Sequence, residues 1–395
     1  MPGKKTKSEK LRTKNYIGLA LDLGTTVIKG CAIDLKQEKI IGKTKTYNLQ
    51  NEFGSDVLIR ISNALQGKYE ILRSLLLQSI DKIKDELKVK SPDFIVVVGN
   101  TAMLSFYQNK SVAGLARFPF KSELHTEKIK ITGKTFMFPI IGSFVGGDTI
   151  AGILASQLFS QTPNHQSLTP ALYIDLGTNG EVALITKGKI FAASTAAGPA
   201  FEGVGISCGS LAIPGAIERV RYNKGRFIAQ TINKAEPVGI CASGIIDMLA
   251  LMLKHKFVDS SGKLIKSLNI AGFSLNQADI RKLQLAISAI HAGVKILINK
   301  ANIKTKNIDE IVITGEFGAN LNTKALKEIG IIPSNIKKIR FDNDLPLKGA
   351  IMMLKNKNII KQIQAIKDAS KHIELAAQPN FQKIFVSAMR FEKWN

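Results

Sequence analysis

The hydrophobic and polar positions of the first half of the chain alternate between strand-like and helix-like segments. Continuous or alternating apolar runs predict β-strands at 17–23, 27–35, 39–49 and 93–99. Apolar residues at helical spacing predict α-helices at 69–88 and 146–159. The segment 108–138 interleaves Lys with Phe and contains Pro119, so we expect it to be irregular. The first half therefore has the pattern of a mixed α/β unit.

The second half starts the same pattern again. Residues 161–170, QTPNHQSLTP, are polar and bounded by proline, which predicts a linker. Beyond them, ALYIDLGTNGEVALI at 171–185 repeats the opening YIGLALDLGTTVIKG at 16–30, since both place Asp-Leu-Gly-Thr after an apolar strand. The remaining predicted elements are helices at 240–253, 276–301, 347–354 and 358–374, and strands within 308–321 and at 336–341.

The duplication suggests how the chain divides. A chain of 395 residues is long enough for two domains or one bilobal unit. We predict a basic flexible tail at 1–15, a first lobe at 16–165 and a second lobe at 166–395.

Each copy of the repeat ends in an aspartate beside a Gly-Thr turn, at Asp22 and at Asp175. A carboxylate and backbone N–H groups at a strand end suit a phosphate group and its metal ion. For one copy considered by itself, a hairpin turn capped by the aspartate is an equal alternative. Two copies that face each other across a cleft would grip one phosphate chain from both sides.

Composition and cysteine usage exclude several classes of protein. Hydrophobic residues make up 45% of the chain and charged residues 22%, as in globular proteins with a full core. No apolar run approaches the roughly 20 residues of a membrane helix, and the first fifteen residues lack the apolar segment of a secretory signal. We therefore expect a cytoplasmic protein without membrane contact. Three scattered cysteines do not make a disulfide framework or a four-cysteine metal site; a cluster shared across a dimer is left open.

The net charge of +24 raises the question of a nucleic-acid partner. The excess is mainly lysine spread along the whole chain, whereas phosphate clamps and base readers favour arginine. Aromatic stacking platforms are absent from the sequence pattern. Nucleic acid is therefore the weaker hypothesis, behind a composition bias or a docking face for an acidic protein. GKT at 42–44 and 133–135 lacks the glycine that a P-loop requires, and no dinucleotide fingerprint is present.

The two D-L-G-T turns, together with ITGEFG at 313–318, resemble the two phosphate motifs and the adenosine motif of a known superfamily. This is the acetate kinase, sugar kinase, Hsp70 and actin superfamily of two-lobed ATPases. The resemblance implies an α/β fold of two ribonuclease-H-like lobes around a nucleotide cleft, with ATP and Mg²⁺ as cofactors.

A closer resemblance covers residues 16–395. The chain is similar to the ATPase region of the reductive activators of corrinoid proteins, in segments that occur in the same order: YNLQNEFGSDVLIRI, VVGNTAML, GLARFPF, FVGGDTIAGILA, DLGTNGE, AAGPAFEG, GICASGIID, DIRKLQLAISAIHAGVKIL and the closing PNF…F…AMRF. Those activators use ATP binding and hydrolysis to push an electron onto an inactive Co(II) corrinoid. The partner implied is a corrinoid protein of a methyl-transfer system, which returns to Co(I).

The resemblance also assigns roles to particular residues. Asp22 and Asp175 would face the Mg²⁺ mostly through water, and Asp148 would orient the attacking water, with Glu181 and Glu202 as alternatives. For Asp148 a simple helix N-cap is the other interpretation. The residues expected to contact the nucleotide are Gly24, Thr25, Thr26, Gly177, Thr178, Asn179, Gly198, Pro199, Gly203, Gly315, Glu316, Phe317 and Gly318. Gly198, Pro199 and Gly203 could instead form only a crossover between strands.

Other residues of the matching segments have no role derived from chemistry. Asn100 and Thr101 match the family's segment, but the sequence assigns them no chemical role. Cys208, Cys241 and His291 are expected to be buried core residues, with a redox role near the cleft as the weaker alternative for the two cysteines.

Two differences from the family change what we expect of its iron–sulfur cluster and of its nucleotide site. Typical members carry an N-terminal ferredoxin-like domain with a [2Fe–2S] cluster, whereas here a short lysine-rich tail precedes the ATPase. We therefore expect no iron–sulfur cluster on this chain and a separate electron donor protein. Glu316 stands where the adenosine motif has a second glycine, which would weaken nucleotide binding by clash or repulsion. FDNDLPLKGA at 341–350 also differs from the family's Gly-Asn stretch.

Two other functions remain open. A small-molecule kinase would use the same cleft and transfer the γ-phosphate to a bound substrate. A non-hydrolysing docking scaffold, with its site disabled by Glu316, would keep only the surface for its partner.

Overall fold

The computed structural model describes residues 16–124, 131–159, 169–315, 321–391 and 393–394. The strands are β1 Ile17–Leu23, β2 Val27–Asp34, β3 Lys39–Tyr47, β4 Phe94–Gly99, β5 Ile131–Thr132, β6 Thr135–Met137, β7 Ala171–Leu176, β8 Gly180–Thr186, β9 Lys189–Thr195, β10 Ala216–Asn223, β11 Arg226–Thr231, β12 Gly239–Ile240, β13 Glu310–Thr314, β14 Lys338–Phe341 and β15 Ser370–His372. The helices are α1 Val57–Asn63, α2 Tyr69–Glu86, α3 Thr101–Tyr107, α4 Gly147–Ser156, α5 Ala242–Lys254, α6 Gln277–Lys300, α7 Thr323–Glu328, α8 Leu345–Lys355, α9 Ile360–Ala369 and α10 Phe381–Ala388. Short 3₁₀ segments include Leu49–Phe53 and Pro199–Glu202.

The two large sheets have the same topology around the repeated strand. The first sheet has the order β3-β2-β1-β4-β6-β5, and the second has the order β14-β13-β7-β8-β9-β15. In each, the strand that carries the D-L-G-T turn pairs antiparallel with the next strand and parallel with a later crossover strand. The duplication seen in the sequence is therefore a structural duplication, and the predicted α/β fold of two lobes is confirmed.

The local sequence explains the elements that flank these sheets. β1 is buried along six of its seven residues, as its continuous apolar run predicts. α6 begins at the predicted cap, where the Asn276 side chain accepts from the Asp279 N–H and Asp279 accepts from the Asn276 N–H. This reciprocal capping box satisfies backbone donors that the first helical turn would otherwise leave open.

Two helices lie between the sheets and give the two lobes a common core. α8, which follows the second sheet in the chain, packs on β1 and β4 of the first sheet, and α4 packs against α8 and α9. Buried residues of both sheets and both helices form one apolar cluster, including Ala20, Ile150, Tyr173, Val312 and Ala350. The lobes are therefore joined at the base of the cleft, while the carboxyl ends of β1 and β7 are left facing each other.

The structure corrects two details of the predicted elements. The helix predicted at 358–374 ends at Ala369, because residues 370–372 pair in parallel with β9 and complete the edge of the second sheet. The segment 108–138, expected to be irregular, contains the short strands β5 and β6, and β6 pairs with β4. In both cases pairing with a distant strand decides the backbone conformation, and the local pattern does not show it.

Some predictions lie outside the described residues. The tail 1–15 and most of the predicted linker, 160–168, are not described. The boundary between lobes at 165/166 falls in that linker and stays a prediction.

The junction between the lobes can be tested at Gly152 in α4. A Cβ at this position would overlap the hydroxyl of the fully buried Tyr173 of β7. We expect Gly152→Ala to lower the free energy of unfolding by about 1–3 kcal/mol, measured by urea denaturation, because the ring cannot move away. Gly42→Ala is the matched control, since its Cβ would meet only a terminal methyl of Leu87 at 3.2 Å. Equal urea midpoints for the two variants would contradict this packing.

Candidate functional site

The ends of β1 and β7 open into one cavity between the lobes. Its described part has a volume of about 90 Å³, enough for several water molecules. It brings together these predicted residues: Asp22, Gly24, Thr25, Thr26, Asp148, Asp175, Gly177, Thr178, Asn179, Glu181, Glu202 and Gly315. Side chains from both copies of the repeat thus line a single site, as the duplication predicted.

The two turns touch through their threonines. The Thr26 and Thr178 hydroxyl oxygens are 2.7 Å apart, and Thr178 donates a hydrogen bond of 3.0 Å to Glu202 Oε1. Because the Thr178 proton is directed to Glu202, Thr26 donates to Thr178. This chain of three side chains holds the two lobes in register at the mouth of the site.

Burial and mutual repulsion raise the pKa values of the carboxyl groups in the cavity. Burial, followed by the charges of Asp22 and Asp175, raises the pKa of Asp148 to about 8. Burial and Asp22 raise the pKa of Asp175 to about 7, against the opposing effect of Lys29. Burial, then Asp148 and Asp175, raises the pKa of Glu181 well above its usual value. Several acids in one confined cavity repel each other unless a cation or a proton lies between them.

The two copies of the repeat differ in the residue opposite the aspartate. In the β1–β2 hairpin Lys29 lies opposite Asp22, and in the β7–β8 hairpin Glu181 lies opposite Asp175. Lys29 Nζ also forms an ion pair of 2.7 Å with Asp344 Oδ1, at the start of α8. The first lobe thus brings a cation to the site where the second lobe brings an acid.

The chemistry of the donor set fits Mg²⁺ bound mainly through water. Carboxylate oxygens are the ligands that this ion prefers, and it usually keeps several of its waters. Among the residues that the structure describes, no three His, Cys, Asp or Glu side chains come close enough together to hold a metal ion. A divalent ion between Asp22 and Asp175 would offset the repulsion that raises their neighbours' pKa values.

The two turn glycines differ in what surrounds them. At Gly24 a Cβ would overlap the carbonyl oxygen of Val27, so glycine is required by the turn itself. At Gly177 a Cβ would meet no atom closer than 3.6 Å and would point among Asn179, Glu202 and Asp175. Gly177 therefore leaves open a cradle in which a phosphate group could approach the backbone.

The position of Asp148 excludes one of its two interpretations. The N-cap of α4 is Gly146, and Asp148 lies in the first turn of the helix with its carboxylate at the cavity. The interpretation of Asp148 as the N-cap is therefore wrong. Its carboxylate accepts the Thr149 N–H at 2.7 Å, which fixes its orientation.

Asn100 has a role that sequence reasoning did not find. Its Oδ1 caps α3 by accepting from the Met103 N–H at 3.0 Å, and its Nδ2 donates to Thr25 Oγ1 at 2.9 Å. One side chain thus anchors the first turn to the next parallel strand, because Gly99 at the end of β4 pairs with Leu23. An asparagine directly after a buried strand was the available signal.

Other residues of the cavity were not predicted, and three predicted ones are elsewhere. The unpredicted lining residues are Val27, Lys29, Asn100, Thr314, Asp344 and Pro346. Gly198, Pro199 and Gly203 do not line the described cavity but form and flank the 3₁₀ turn that presents Glu202. Glu316, Phe317 and Gly318 lie outside the described residues, so their predicted contacts with adenosine stay predictions.

Cys208 and Cys241 are core residues, as predicted, whereas His291 is only partly buried and lines a second cavity, so the prediction is wrong for the histidine. Cys208 and Cys241 are buried, and burial raises the pKa of the Cys208 thiol to about 11. His291 lies away from the cavity between the lobes, where its Nδ1 is 3.0 Å from the Gly330 carbonyl oxygen and its ring packs against Trp394.

The helices that the structure describes include none with the length and apolar character of a membrane-spanning segment.

Two protein-family models match the chain. The model described as RACo middle region matches residues 17–161, and the one described as the C-terminal domain of RACo, the ASKHA domain, matches residues 169–395. The second match by itself covers more than half of the chain.

Individual relatives cover almost the whole chain. The corrinoid activation enzyme RamQ of Eubacterium limosum is 29% identical over an alignment 429 positions long, gaps included, which covers 96% of this chain and 71% of that protein. The Co(II) methylated amine-specific corrinoid protein reductase of Methanosarcina barkeri is 25% identical over 425 residues, covering 95% of this chain and 77% of that protein.

A solved structure has the same fold. It is a reductive activator for corrinoid,iron-sulfur protein, with a TM-score of 0.85 and 31% identity over 95% of this chain. The chain spans 66% of the length of that protein. Together with the ASKHA family model, this match confirms the predicted two-lobed ATPase fold.

The effect of the clustered carboxylates on the stability of the protein can be measured in the absence of metal ions. Because the pKa of Asp148 is higher in the folded protein than in the unfolded chain, its contribution to stability is full below about pH 4 and is lost as the pH rises towards 8. We expect Asp148→Asn, in EDTA, to be more stable than the unchanged protein at pH 8 by about 1 kcal/mol or more, and similar near pH 4. Thermal unfolding at both pH values measures this. Exposed Asp309 provides the control variant Asp309→Asn, and a pH-independent difference for Asp148→Asn would contradict the prediction.

The open space at Gly177 predicts that an alanine there leaves folding unchanged and weakens the binding of Mg-ATP. We expect Gly177→Ala to unfold at the same urea concentration as the unchanged protein and to bind Mg-ATP at least tenfold more weakly, because its methyl group fills the cradle. Gly24→Ala should instead lose stability, since its clash is with the backbone. Isothermal calorimetry and urea denaturation of both variants separate the two effects. Normal Mg-ATP affinity in Gly177→Ala would place the phosphates elsewhere.

Proposed function

Since the chain belongs to the RACo family, we propose that it is a Mg-ATP-dependent ATPase that supports the reductive activation of a Co(II) corrinoid protein. Its relatives carry names of corrinoid activation and of Co(II) corrinoid protein reduction. The observation that supports an ATP site in this chain is the convergence of Asp22, Asp148 and Asp175 beneath two touching Gly-Thr turns.

Each part of the cavity suits one part of Mg-ATP. The turns at Gly24–Thr26 and Gly177–Asn179 offer backbone N–H groups and hydroxyls to the phosphates from opposite sides. Asp22 and Asp175 would hold the hydrated Mg²⁺, which supplies positive charge to the phosphate oxygens. Lys29 lies in the same cavity, and its ammonium, paired there with Asp344, could donate to a phosphate oxygen.

Asp148 is the residue that we propose orients the attacking water. Its carboxylate lies at the cavity in the first turn of α4, held by the Thr149 N–H. Because a bound Mg²⁺ would offset the charges of Asp22 and Asp175, it would favour the ionised form of Asp148, which can accept a proton from water as the bond to the γ-phosphate forms. The products are then ADP and inorganic phosphate.

The work of hydrolysis would be conformational. The lobes share a core at α4 and α8 and meet at the cavity through Thr26 and Thr178, so a bound phosphate chain changes how the lobes close. We propose that this closure changes the affinity for a corrinoid protein of a methyl-transfer system. One electron passes from a separate donor protein to Co(II), which becomes Co(I) while the donor is oxidised.

We also propose that the protein works in the cytoplasm. Cys31, Cys208 and Cys241 are all free thiols, as is usual in a reducing compartment, and ATP is available there.

A small-molecule kinase is the second candidate. A cavity of about 310 Å³ adjoins the first one and shares Thr26, Val27 and Glu202 with it. An acceptor bound there would lie beside the transferred phosphate. A kinase would release ADP only when a small acceptor is present, without any protein partner. The docking scaffold depends on Glu316, outside the described residues, and stays a hypothesis.

The proposal is tested with the purified chain. We expect micromolar binding of Mg-ATP by calorimetry, slow release of phosphate, and acceleration by a Co(II) corrinoid protein with a one-electron donor, where Co(I) is followed by its visible spectrum. Asp148→Asn should retain binding and lose hydrolysis by about a hundredfold or more. Asp309→Asn is the matched control on the surface.

Three results would contradict the proposal. These are no Mg-ATP binding at millimolar concentration, hydrolysis unchanged in Asp148→Asn, and ADP release that depends on a small acceptor alone. The first would favour the scaffold and the last the kinase.

A further inference from the structure

We infer that Arg60 is a positioning residue for the first phosphate turn, acting through Asn51. Arg60 lies in α1, outside the cavity, and no part of the site described so far includes it. The inference rests on the proposed function for its ligand, Mg-ATP, and on hydrogen bonds for its geometry.

Arg60 is a charged side chain held in the interior by neutral acceptors. It is 0% exposed. Its Nε donates to the Gly54 carbonyl oxygen at 2.9 Å, its Nη1 to Gln50 Oε1 at 3.1 Å and its Nη2 to Asn51 Oδ1 at 2.5 Å. Burying a guanidinium that has no hydrogen-bonded carboxylate lowers the free energy of unfolding, so packing alone does not explain an arginine at this position.

The Asn51 side chain links Arg60 to the phosphate turn through hydrogen bonds at both ends of its amide group. Because Arg60 fixes Asn51 Oδ1, the Nδ2 of the same amide faces Thr26 and donates to its carbonyl oxygen at 3.1 Å. The Asn48 N–H donates to the same Thr26 oxygen at 3.0 Å, and Asn48 Nδ2 donates to the Gly24 carbonyl oxygen at 3.0 Å. These bonds hold the Gly24 and Thr26 carbonyl groups on the side of Asn48 and Asn51, which favours an orientation of the turn with its N–H groups towards the cavity.

The charge of Arg60 supports the same task. Its pKa is lowered by burial to about 10, so the side chain is still cationic at neutral pH. Two acids oppose this effect and raise the pKa of Arg60. They are Asp56, at the start of the same helix, and Glu202, which accepts a hydrogen bond from Thr178 across the cleft. A cation behind the turn, poorly screened by water, favours a phosphate group in front of it.

The decisive experiment compares nucleotides that differ in phosphate charge. In Asn51→Ala and in Arg60→Lys, we expect Mg-ATP affinity to fall by about tenfold or more, while adenosine affinity changes by less than about twofold. Arg60→Lys keeps the charge and volume but lacks the planar fork that holds three acceptors at once. Asn63→Ala is the matched control, because this asparagine of α1 bonds to the Phe53 and Ile59 carbonyls and not to the turn.

A second measurement does not depend on ATP binding. Hydrogen exchange of the Asn48 backbone amide, which donates to the Thr26 carbonyl oxygen, should be faster in Asn51→Ala and Arg60→Lys than in Asn63→Ala, in the protein without nucleotide. Equal losses for Mg-ATP and adenosine would mean a structural role only and overturn the inference, as would unchanged exchange of the Asn48 amide. If the unchanged protein binds no Mg-ATP, the proposed function fails, and the exchange rates still decide whether Arg60 positions the turn.

Discussion

Repulsion among carboxylates in a confined cavity is the constraint on which the rest of this structure depends. Asp22, Asp148 and Asp175 come from three elements and meet in one cavity, where burial first and the charges of neighbouring acids second raise the pKa values of Asp148 and Asp175 to about 8 and about 7. A protein that needed only stability would not keep this arrangement. It suits the site that we propose, because a bound metal–phosphate complex would bring the neutralising cation with it.

The fold makes this arrangement by duplication. The same strand–turn–strand unit occurs at the centre of both large sheets, and the shared core of α4 and α8 sets the two copies opposite each other. Small differences between the copies then matter. Lys29 and Glu181 occupy matching places in the two hairpins, so one side of the cavity carries a cation and the other an acid. The site is symmetric in backbone and asymmetric in charge.

Much of this could be predicted from the sequence, because the signals were local. The repeat placed Asp22 and Asp175 at strand ends, and apolar spacing located the main helices. Lys29, Asn100 and Asp344 were missed as parts of the site because their roles depend on partners far along the chain: Asp344 for Lys29, and Thr25 for Asn100. The strand at 370–372 was missed for the same reason, since it pairs with Ile190–Ala192 of β9, far earlier in the chain.

The central claim is that the two turns hold one metal-bound phosphate chain between the lobes. A crystal structure of the chain with Mg²⁺ and a non-hydrolysable ATP analogue tests it most directly. We predict the β- and γ-phosphates between the turns of Thr26 and Thr178, with the hydroxyl contact of 2.7 Å opened, and a hydrated Mg²⁺ facing Asp22 and Asp175. An analogue bound away from this cavity, or a metal remote from both aspartates, would contradict the account.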